Sequence, residues 1–260
     1  MKNIEVKILN PEVIGNAEKM TVFAARLTQR GHKIQNMDDL MELYEKKYSI
    51  ELVESLTKLP HPTIQKFGVI NVAVVGASRR FLAQITRHQN EVKFMSASLQ
   101  YSDYSAGNDF CVPYEISSRG ADCQNFYLNS CKHQMEMYKN AVASGIDHDA
   151  AGYMAPQGLR NILIISATPY QWKHMISQRT CRRNTKETEY VMLKIWDELY
   201  KLNPELFNLS STGPGCMKTG CKEGKMCCGR PIDKKSVPAD IINEDFSKLN
   251  KEESYVHKSY

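Results

Sequence analysis

Two apolar runs rich in β-branched residues stand out along the chain, and each predicts a buried strand. They span residues 67–75 and 160–167, and the second run begins with an arginine. A shorter segment, residues 2–9, alternates apolar and polar positions as a half-buried edge strand does. The pattern therefore predicts a sheet whose central part includes residues 67–75.

Apolar residues spaced three and four apart predict helices between and after these strands. The predicted helices are residues 16–29, 37–48, 50–58, an amphipathic segment from Ala77 onward, 122–144, a segment beginning at Pro169, and 185–202. Residues 93–104 are expected to form a turn leading to a strand, and residues 109–116 a loop. The order lacks βαβ alternation and a glycine-rich phosphate loop, so an α+β fold is favoured over a Rossmann type.

Composition and charge narrow the class of protein. The 260 residues, 42% hydrophobic and 24% charged, suffice for one large domain or two small ones. A net charge of +5 without a long Lys/Arg block suits anionic ligands and does not indicate nucleic-acid binding. No apolar run is long enough to cross a membrane, and the N-terminus lacks a signal-peptide core, so we expect a soluble, cytoplasmic protein with mostly reduced cysteines.

The first candidate site lies in residues 77–102. If the segment is helical through His88, then Gln84, Arg87 and His88 share one face, while Phe81 and Ile85 face the core. A hydroxyl-rich turn follows at residues 96–102. A cationic edge beside such a turn suits a nucleotide, although a solvated basic helix end would give a similar pattern.

Further candidate residues lie at the ends of apolar elements. Arg160 begins a buried strand and Arg179 ends an apolar helical stripe, so each is expected either to form a salt bridge or to bind a phosphate or the carbonyls of a pyrimidine. His61 and Thr63 lie in a turn held by two prolines. A surface position is the alternative interpretation for His61.

Four cysteines crowd into residues 210–260: Cys216, Cys221, Cys227 and Cys228. Four thiols within a short glycine-rich segment can bind zinc tetrahedrally. Their spacing departs from paired Cys-x-x-Cys, so reduced free thiols and a redox or disulfide role stay open. We expect this tail to be loosely ordered unless a metal binds.

Several motifs resemble those of the flavin-dependent thymidylate synthases. The runs HPTIQKF, GASRRFLAQITRHQ and SLQYS resemble a His-Pro-Ser/Thr turn, an Arg-Ala-Phe…Gln-x-x-Arg-His-Arg helix and a Ser-x-Arg-Tyr close. Downstream, RNIL and WKHMISQR resemble an arginine-led strand and a Trp-x-His-Phe-x-x-x-Arg helix. The resemblance covers about residues 60–200. It implies a single domain over residues 1–209, with a mostly antiparallel central sheet flanked by long helices, and a separate tail over residues 210–260.

The resemblance also implies a reaction and its residues. The enzyme would transfer a methylene from methylenetetrahydrofolate to C5 of dUMP, using FAD reduced by NADPH, in a homotetramer with shared active sites. The implied dUMP-binding residues are Gln84, Arg87 (from a neighbouring subunit), Ser98, Leu99, Gln100, Arg160 and Arg179. The implied FAD-binding residues are His61, Thr63, Arg87, His88, Gln89 and His174. Arg179, polarising the pyrimidine, and Ser98, meeting the phosphate, are the expected catalytic residues.

The chain departs from the family pattern at several charged positions. Gln89, Gln100 and Tyr170 stand where the family has arginine, and Thr168 stands where it has asparagine. Nearby cations are candidates to compensate: Arg80, Lys93, Arg182 and Arg183. Two alternatives therefore stay open: a divergent enzyme that modifies C5 of another pyrimidine nucleotide, for example by hydroxymethylation, and a nucleotide-binding homologue without catalysis.

Overall fold

A computed structural model describes residues 4–106, 109–233, 235–246 and 257–259, the last of these by backbone alone. Its main sheet has four strands, β1 (Glu5–Ile8), β2 (Ile70–Ser78), β3 (Val92–Ser96) and β5 (Arg160–Ala167). The strand order is β1-β2-β5-β3, and every neighbouring pair is antiparallel. The predicted α+β class, the antiparallel sheet and the inner position of β2 are confirmed. A second, two-stranded sheet pairs β4 (Asp109–Cys111) with β6 (His257–Ser259).

Eleven α-helices in the described residues surround the sheet. They are α1 (Glu12–Arg30), α2 (Met37–Glu45), α3 (Ile50–Thr57), α4 (Arg79–Ile85), α5 (Tyr114–Ser117), α6 (Ala121–Ala143), α7 (His148–Ala151), α8 (Pro169–Arg179), α9 (Lys186–Leu202), α10 (Gly215–Thr219) and α11 (Pro238–Asp245). None of the described helices combines the length and the apolar character needed to cross a bilayer.

The main core lies between one face of the sheet and helices α8 and α9. Trp172 and Trp196 are fully buried there, and their indole N–H groups donate to the carbonyls of Ile70 (3.1 Å) and Phe207 (2.8 Å). A buried indole needs such an acceptor because an unpaired N–H would retain its desolvation cost. The first bond fixes α8 against β2, which precedes it in the chain. The second bond fixes α9 against the segment that follows it.

Three local predictions differ from the structure. Residues 93–104 do not begin as a turn, because β3 continues to Ser96 and pairs with β5. Residues 109–116 contain β4 and the start of α5. Helix α4 ends at Ile85, so Arg87 and His88 lie in the following turn and do not share a helical face with Gln84. The predicted core positions Phe81 and Ile85 are confirmed, at 1% and 0% exposure.

The tail differs most from expectation. In the described part of residues 210–246, the side chains of Met217, Ile241 and Phe246 belong to the main core. The Arg230 side chain is 2% exposed and bonds to Glu189 of α9 and Asp245 of α11. Apolar burial and a buried ion pair thus hold this segment on the domain, whereas the sequence predicted a loosely ordered tail. The boundary at residue 209 between the domain and the tail stays a proposal.

Candidate active site

A cleft of about 1760 Å³ lies between α8, the turn that follows α4, and the tail. Helix α8 presents Tyr170, His174 and Arg179 to it, because the opposite side of the helix carries Trp172, Met175 and Ile176 into the core. Five residues of the predicted dUMP-binding and FAD-binding sets line this cleft: Arg87, His88, Gln89, His174 and Arg179.

Arg179 is held in the cleft by neutral acceptors. Its Nε donates to His88 Nε2 at 2.8 Å, and its Nη2 donates to the Gln84 carbonyl at 3.0 Å. Its Nη1 donates to Asn184 Oδ1 at 3.3 Å. The salt-bridge alternative for Arg179 is therefore wrong among the described residues, and its positive charge stays available to a ligand.

His88 is neutral as an acceptor for Arg179. Burial, together with the nearby charges of Arg179 and His174, lowers the pKa of His88 to about 4. The rings of His88 and His174 meet edge to face with centroids 6.0 Å apart. The arrangement keeps the guanidinium oriented while adding no negative charge that would neutralise it.

The start of β5 forms a second group of polar residues. Arg160 donates to Asp109 at 3.1 Å, which confirms the salt-bridge interpretation for this arginine. The preceding β3 leads directly into the predicted phosphate turn, where Ser98 Oγ accepts from the Gln100 N–H at 3.0 Å. Ala97 N–H donates to the Ile162 carbonyl at 3.0 Å, so this turn lies beside the start of β5.

Three buried polar atoms have no hydrogen-bond partner in the described part of the chain, and the two on Arg160 and Asn161 belong to this second group. They are Ser105 Oγ, Arg160 Nε and Asn161 Nδ2. Buried donors without partners cost free energy, and such groups commonly mark a place where a ligand or water binds. The second group therefore offers hydrogen-bonding capacity that the chain itself does not use.

The structure divides the predicted dUMP-binding set. Arg87 and Arg179 line the cleft, whereas Ser98, Leu99, Gln100 and Arg160 do not. Gln84 accepts from Thr188 Oγ1 at 3.0 Å, and Leu99 is 9% exposed within a separate apolar cluster. Within one chain, the predicted nucleotide site is thus present as two separate groups.

The predicted FAD-binding set is also divided. His61 and Thr63 are exposed on a 3-10 turn and do not line the cleft. The same turn places Gln65 in the interior, where its Oε1 accepts from Lys173 Nζ at 2.6 Å. Lys66, next in the chain, does line the cleft and pairs with Glu91 at 2.9 Å.

Two of the four candidate compensating cations are engaged in ion pairs, and the other two lie outside the cleft lining. Arg182 pairs with Glu244 and Asp245, and Arg183, which lines the cleft, pairs with Glu223. Arg80 and Lys93 are exposed and lie outside the cleft lining.

Sequence reasoning missed the contribution of the tail to this cleft. Residues 215–216 and 218–223 line it, including the cations Lys218 and Lys222. No motif signalled this contribution, since the tail lies outside the region of resemblance and reaches the cleft only through the packing of α10. A second missed residue is Glu187, whose carboxylate accepts from the Ser78 N–H and Oγ, both at 2.6 Å, and so anchors the start of α4.

The four predicted zinc ligands are not assembled as a metal site. Among the described residues, no three His, Cys, Asp or Glu side chains are grouped so that they could hold a metal ion. Cys227 and Cys228 are exposed, while Cys216 and Cys221 are partly buried. Burial raises the pKa of the Cys216 thiol. The thiols of Cys228, Cys181 and Cys221 raise it further, so Cys181 lies in this neighbourhood although the tail pattern did not include it.

Comparison with known proteins identifies the family. The profile described as "Thymidylate synthase complementing protein" matches residues 12–205. The chain is 23% identical over 255 residues to a flavin-dependent thymidylate synthase of Clostridium tetani, covering 91% of this chain and 98% of the relative. A Geobacter sulfurreducens protein of the same name is 22% identical over 224 residues, covering 85% of this chain and 92% of the relative.

A solved structure shares the fold. It is the UMP/dUMP methylase PolB from Streptomyces cacaoi bound with 5-Br dUMP. It superposes with a TM-score of 0.63 at 17% identity, covering 82% of this chain and 97% of that one. The chain belongs to the thymidylate synthase complementing protein family, the enzyme family of the flavin-dependent thymidylate synthases.

Proposed function

We propose that this protein methylates C5 of dUMP to give dTMP, with FAD as its redox cofactor, methylenetetrahydrofolate as carbon donor and NADPH as reductant. The observation that carries the proposal is Arg179, a guanidinium held by neutral His88 in a large cationic cleft. The names of the relatives and of the structural neighbour support a pyrimidine nucleotide substrate and a flavin.

The residues of the cleft fit a dinucleotide cofactor. Ligand pockets usually measure about 300–1,000 Å³, and this cleft of about 1760 Å³ has room for a larger group. Six lysines and arginines line it against two carboxylates, those of Glu91 and Glu223. Arg87, His88, Gln89 and His174 would contact the bound FAD, which supplies hydride chemistry when reduced.

In this proposal the chain itself orients the nucleotide and stabilises charge. A guanidinium at the carbonyl edge of the pyrimidine stabilises negative charge that develops on the ring, since its donors are already oriented. Arg179 suits this role because its three bonds to His88, Gln84 and Asn184 hold its plane. The phosphate would bind at Ser98 and the adjacent backbone, and Arg160 Nε–H would donate to the nucleotide.

A shared site follows from the division of these residues. We propose that the cleft of one subunit meets the Ser98–Arg160 group of its neighbour in a homotetramer. The open face of the sheet supports an interface, because Met95 and Ile164 are opposite each other across β3 and β5 and are 71% and 38% exposed. Ile162, on the same face, is 48% exposed. A contiguous apolar face of this kind commonly marks a protein–protein contact.

The proposal is tested with the purified full-length chain. We expect a yellow protein that retains or binds FAD and that releases tritium from 5-labelled dUMP when NADPH and methylenetetrahydrofolate are present. Mass analysis of the product distinguishes a methyl from a hydroxymethyl group. Replacing dUMP by UMP tests whether the enzyme discriminates between deoxyribose and ribose. The matched control is Lys139→Gln, at an exposed position of helix α6 outside the cleft, which should leave turnover unchanged.

The outcomes separate the alternatives. Failure to bind FAD in titration would reject the flavin-dependent function. Nucleotide binding without turnover would instead support the non-catalytic homologue, and a hydroxymethylated product would support the divergent enzyme.

A further inference from the structure

Lys173 is a buried cation that has no counter-charge among the described residues. It is 5% exposed, and its Nζ donates to the neutral Gln65 Oε1 at 2.6 Å. Within the described part of the chain, no carboxylate lies within ion-pair distance of it. Burial, with the charge of Lys218 as a second cause, lowers the pKa of Lys173 to about 7. An ammonium buried beside another cation is costly unless an anion balances it.

The tail brings Lys218 to this place by direct packing. A Cβ at Gly215, the first residue of α10, would lie 3.3 Å from Ser177 Oγ of α8. Lys218 is three residues after Gly215, and Lys173 is four residues before Ser177. Since an α-helix has about 3.6 residues per turn, each lysine lies about one turn from this contact. Lys218 itself lines the cleft.

Three of the five other basic side chains of the cleft are balanced or bonded, whereas Arg87 and Lys222 make no ion pair or hydrogen bond among the described residues. Lys66 pairs with Glu91, Arg183 pairs with Glu223, and Arg179 donates to three neutral groups. Like Arg87 and Lys222, Lys218 makes no ion pair or hydrogen bond among the residues that the structure describes, and of these three it is the one whose charge lowers the pKa of buried Lys173. Burial lowers the pKa of Lys218 to about 8. Among the described residues, Lys218 is therefore a donor without a partner in the wall of the cleft.

We infer that Lys218, with Lys173 behind it, forms a phosphate-binding subsite that the C-terminal segment adds to the cleft. The ligand chemistry is a phosphate or pyrophosphate group, and the size of the cleft favours the pyrophosphate of a dinucleotide over a mononucleotide. The subsite would supply cationic charge that Gln89 and Tyr170 do not carry. The choice of FAD as the natural ligand rests on the proposed function; the anion subsite itself does not.

The test compares Lys218→Gln with the charge-retaining Lys218→Arg and with Lys225→Gln. Lys225 is exposed on the same segment and does not line the cleft, so it is a matched control. Binding of inorganic pyrophosphate, FAD and dUMP is measured at constant ionic strength by calorimetry and by the shift in melting temperature. We expect Lys218→Gln to bind pyrophosphate and FAD roughly tenfold more weakly, with dUMP affinity unchanged. Lys218→Arg and Lys225→Gln should resemble the wild type.

Folding of the variant is checked without ligand. Removing one of two neighbouring cations should leave the melting temperature of Lys218→Gln equal to or above that of the wild type. Pyrophosphate and FAD affinities that match the wild type would overturn the inference. A selective loss of dUMP affinity would overturn the assignment to a dinucleotide. Pyrophosphate binding that depends on Lys218 in a protein that does not bind FAD would support the subsite and reject the proposed function.

Discussion

His88 illustrates how one residue controls the charge of the candidate site. It lies between Arg179 and His174, and only its neutral form can accept the bond from Arg179 Nε. Burial and the two neighbours make protonation unfavourable, so the pKa lies at about 4 rather than near its ordinary value of about 6.5. The chain thereby preserves the donor capacity of the guanidinium at neutral pH.

This arrangement predicts a pH dependence of stability. Between pH 6.5 and about 4 the unfolded chain binds a proton at His88 that the folded chain does not, so lowering the pH destabilises the fold. His88→Gln retains an acceptor for Arg179 but cannot titrate. We expect the wild type to lose about 1–2 kcal/mol more unfolding free energy than His88→Gln between pH 7 and 4.5, after allowance for solvent screening. Urea unfolding at both pH values measures this, and parallel losses would contradict it.

At the scale of elements, the tail and helix α9 are joined by a buried ionic cluster. Arg230 donates to Glu189 Oε1 at 2.9 Å, to Asp245, and to the Thr180 carbonyl at 2.8 Å. Thr180 directly follows Arg179, so the same side chain connects the tail to the end of α8. Glu189 also pairs with Lys186 at 2.7 Å. The tail is thus fixed where it forms a wall of the cleft.

Loss of this arginine should be costly. Arg230→Met retains the apolar stem but leaves Asp245, which is 1% exposed, without this buried partner. We expect a loss of about 3 kcal/mol in unfolding free energy, since breaking a buried pair from one side is strongly destabilising. The control Arg183→Met removes the partly exposed pair with Glu223 and should cost less than about 1 kcal/mol. Equal losses in chemical denaturation would show that the cluster does not anchor the tail.

At the scale of the whole molecule, the separation of the two polar groups has a consequence for assembly. One group lies around Arg87 and Arg179 in the cleft, and the other lies around Ser98 and Arg160 at the start of β5. If a neighbouring subunit brings them together, each active site contains residues of two chains. A subunit with a defect in one group would then complement a subunit with a defect in the other group.

Mixed oligomers test this idea. Arg87→Gln and Arg160→Gln are each expected to reduce turnover at least tenfold, because each removes a charged ligand contact. Subunits mixed in equal amounts and reassembled should recover about a quarter of wild-type turnover, since random pairing produces that share of intact sites. Size-exclusion chromatography with tagged subunits verifies exchange. Exchange without recovery would reject the shared site.

Parts of the fold and of the candidate site were predictable from the sequence. The β-branched runs predicted β2 and β5, because a strand buried on the sheet needs apolar side chains along its length. The motif resemblance selected Arg87, His88, Gln89, His174 and Arg179, and all five line one cleft. The sequence did not predict that α4 ends at Ile85. The residue spacing typical of a helix continues to His88, whereas the helical backbone stops at Ile85.

By itself, the sequence determined the fold class, the family and the residue types available for chemistry, because these depend on local periodicity and on motifs. Only the tertiary structure decided which of those residues meet. It brought Lys218 and Cys216 of the tail to the cleft and separated Arg160 from Arg179. The physical reason is that such contacts depend on the burial of distant apolar side chains, Met217, Ile241 and Phe246 among them, which no local pattern in the chain specifies.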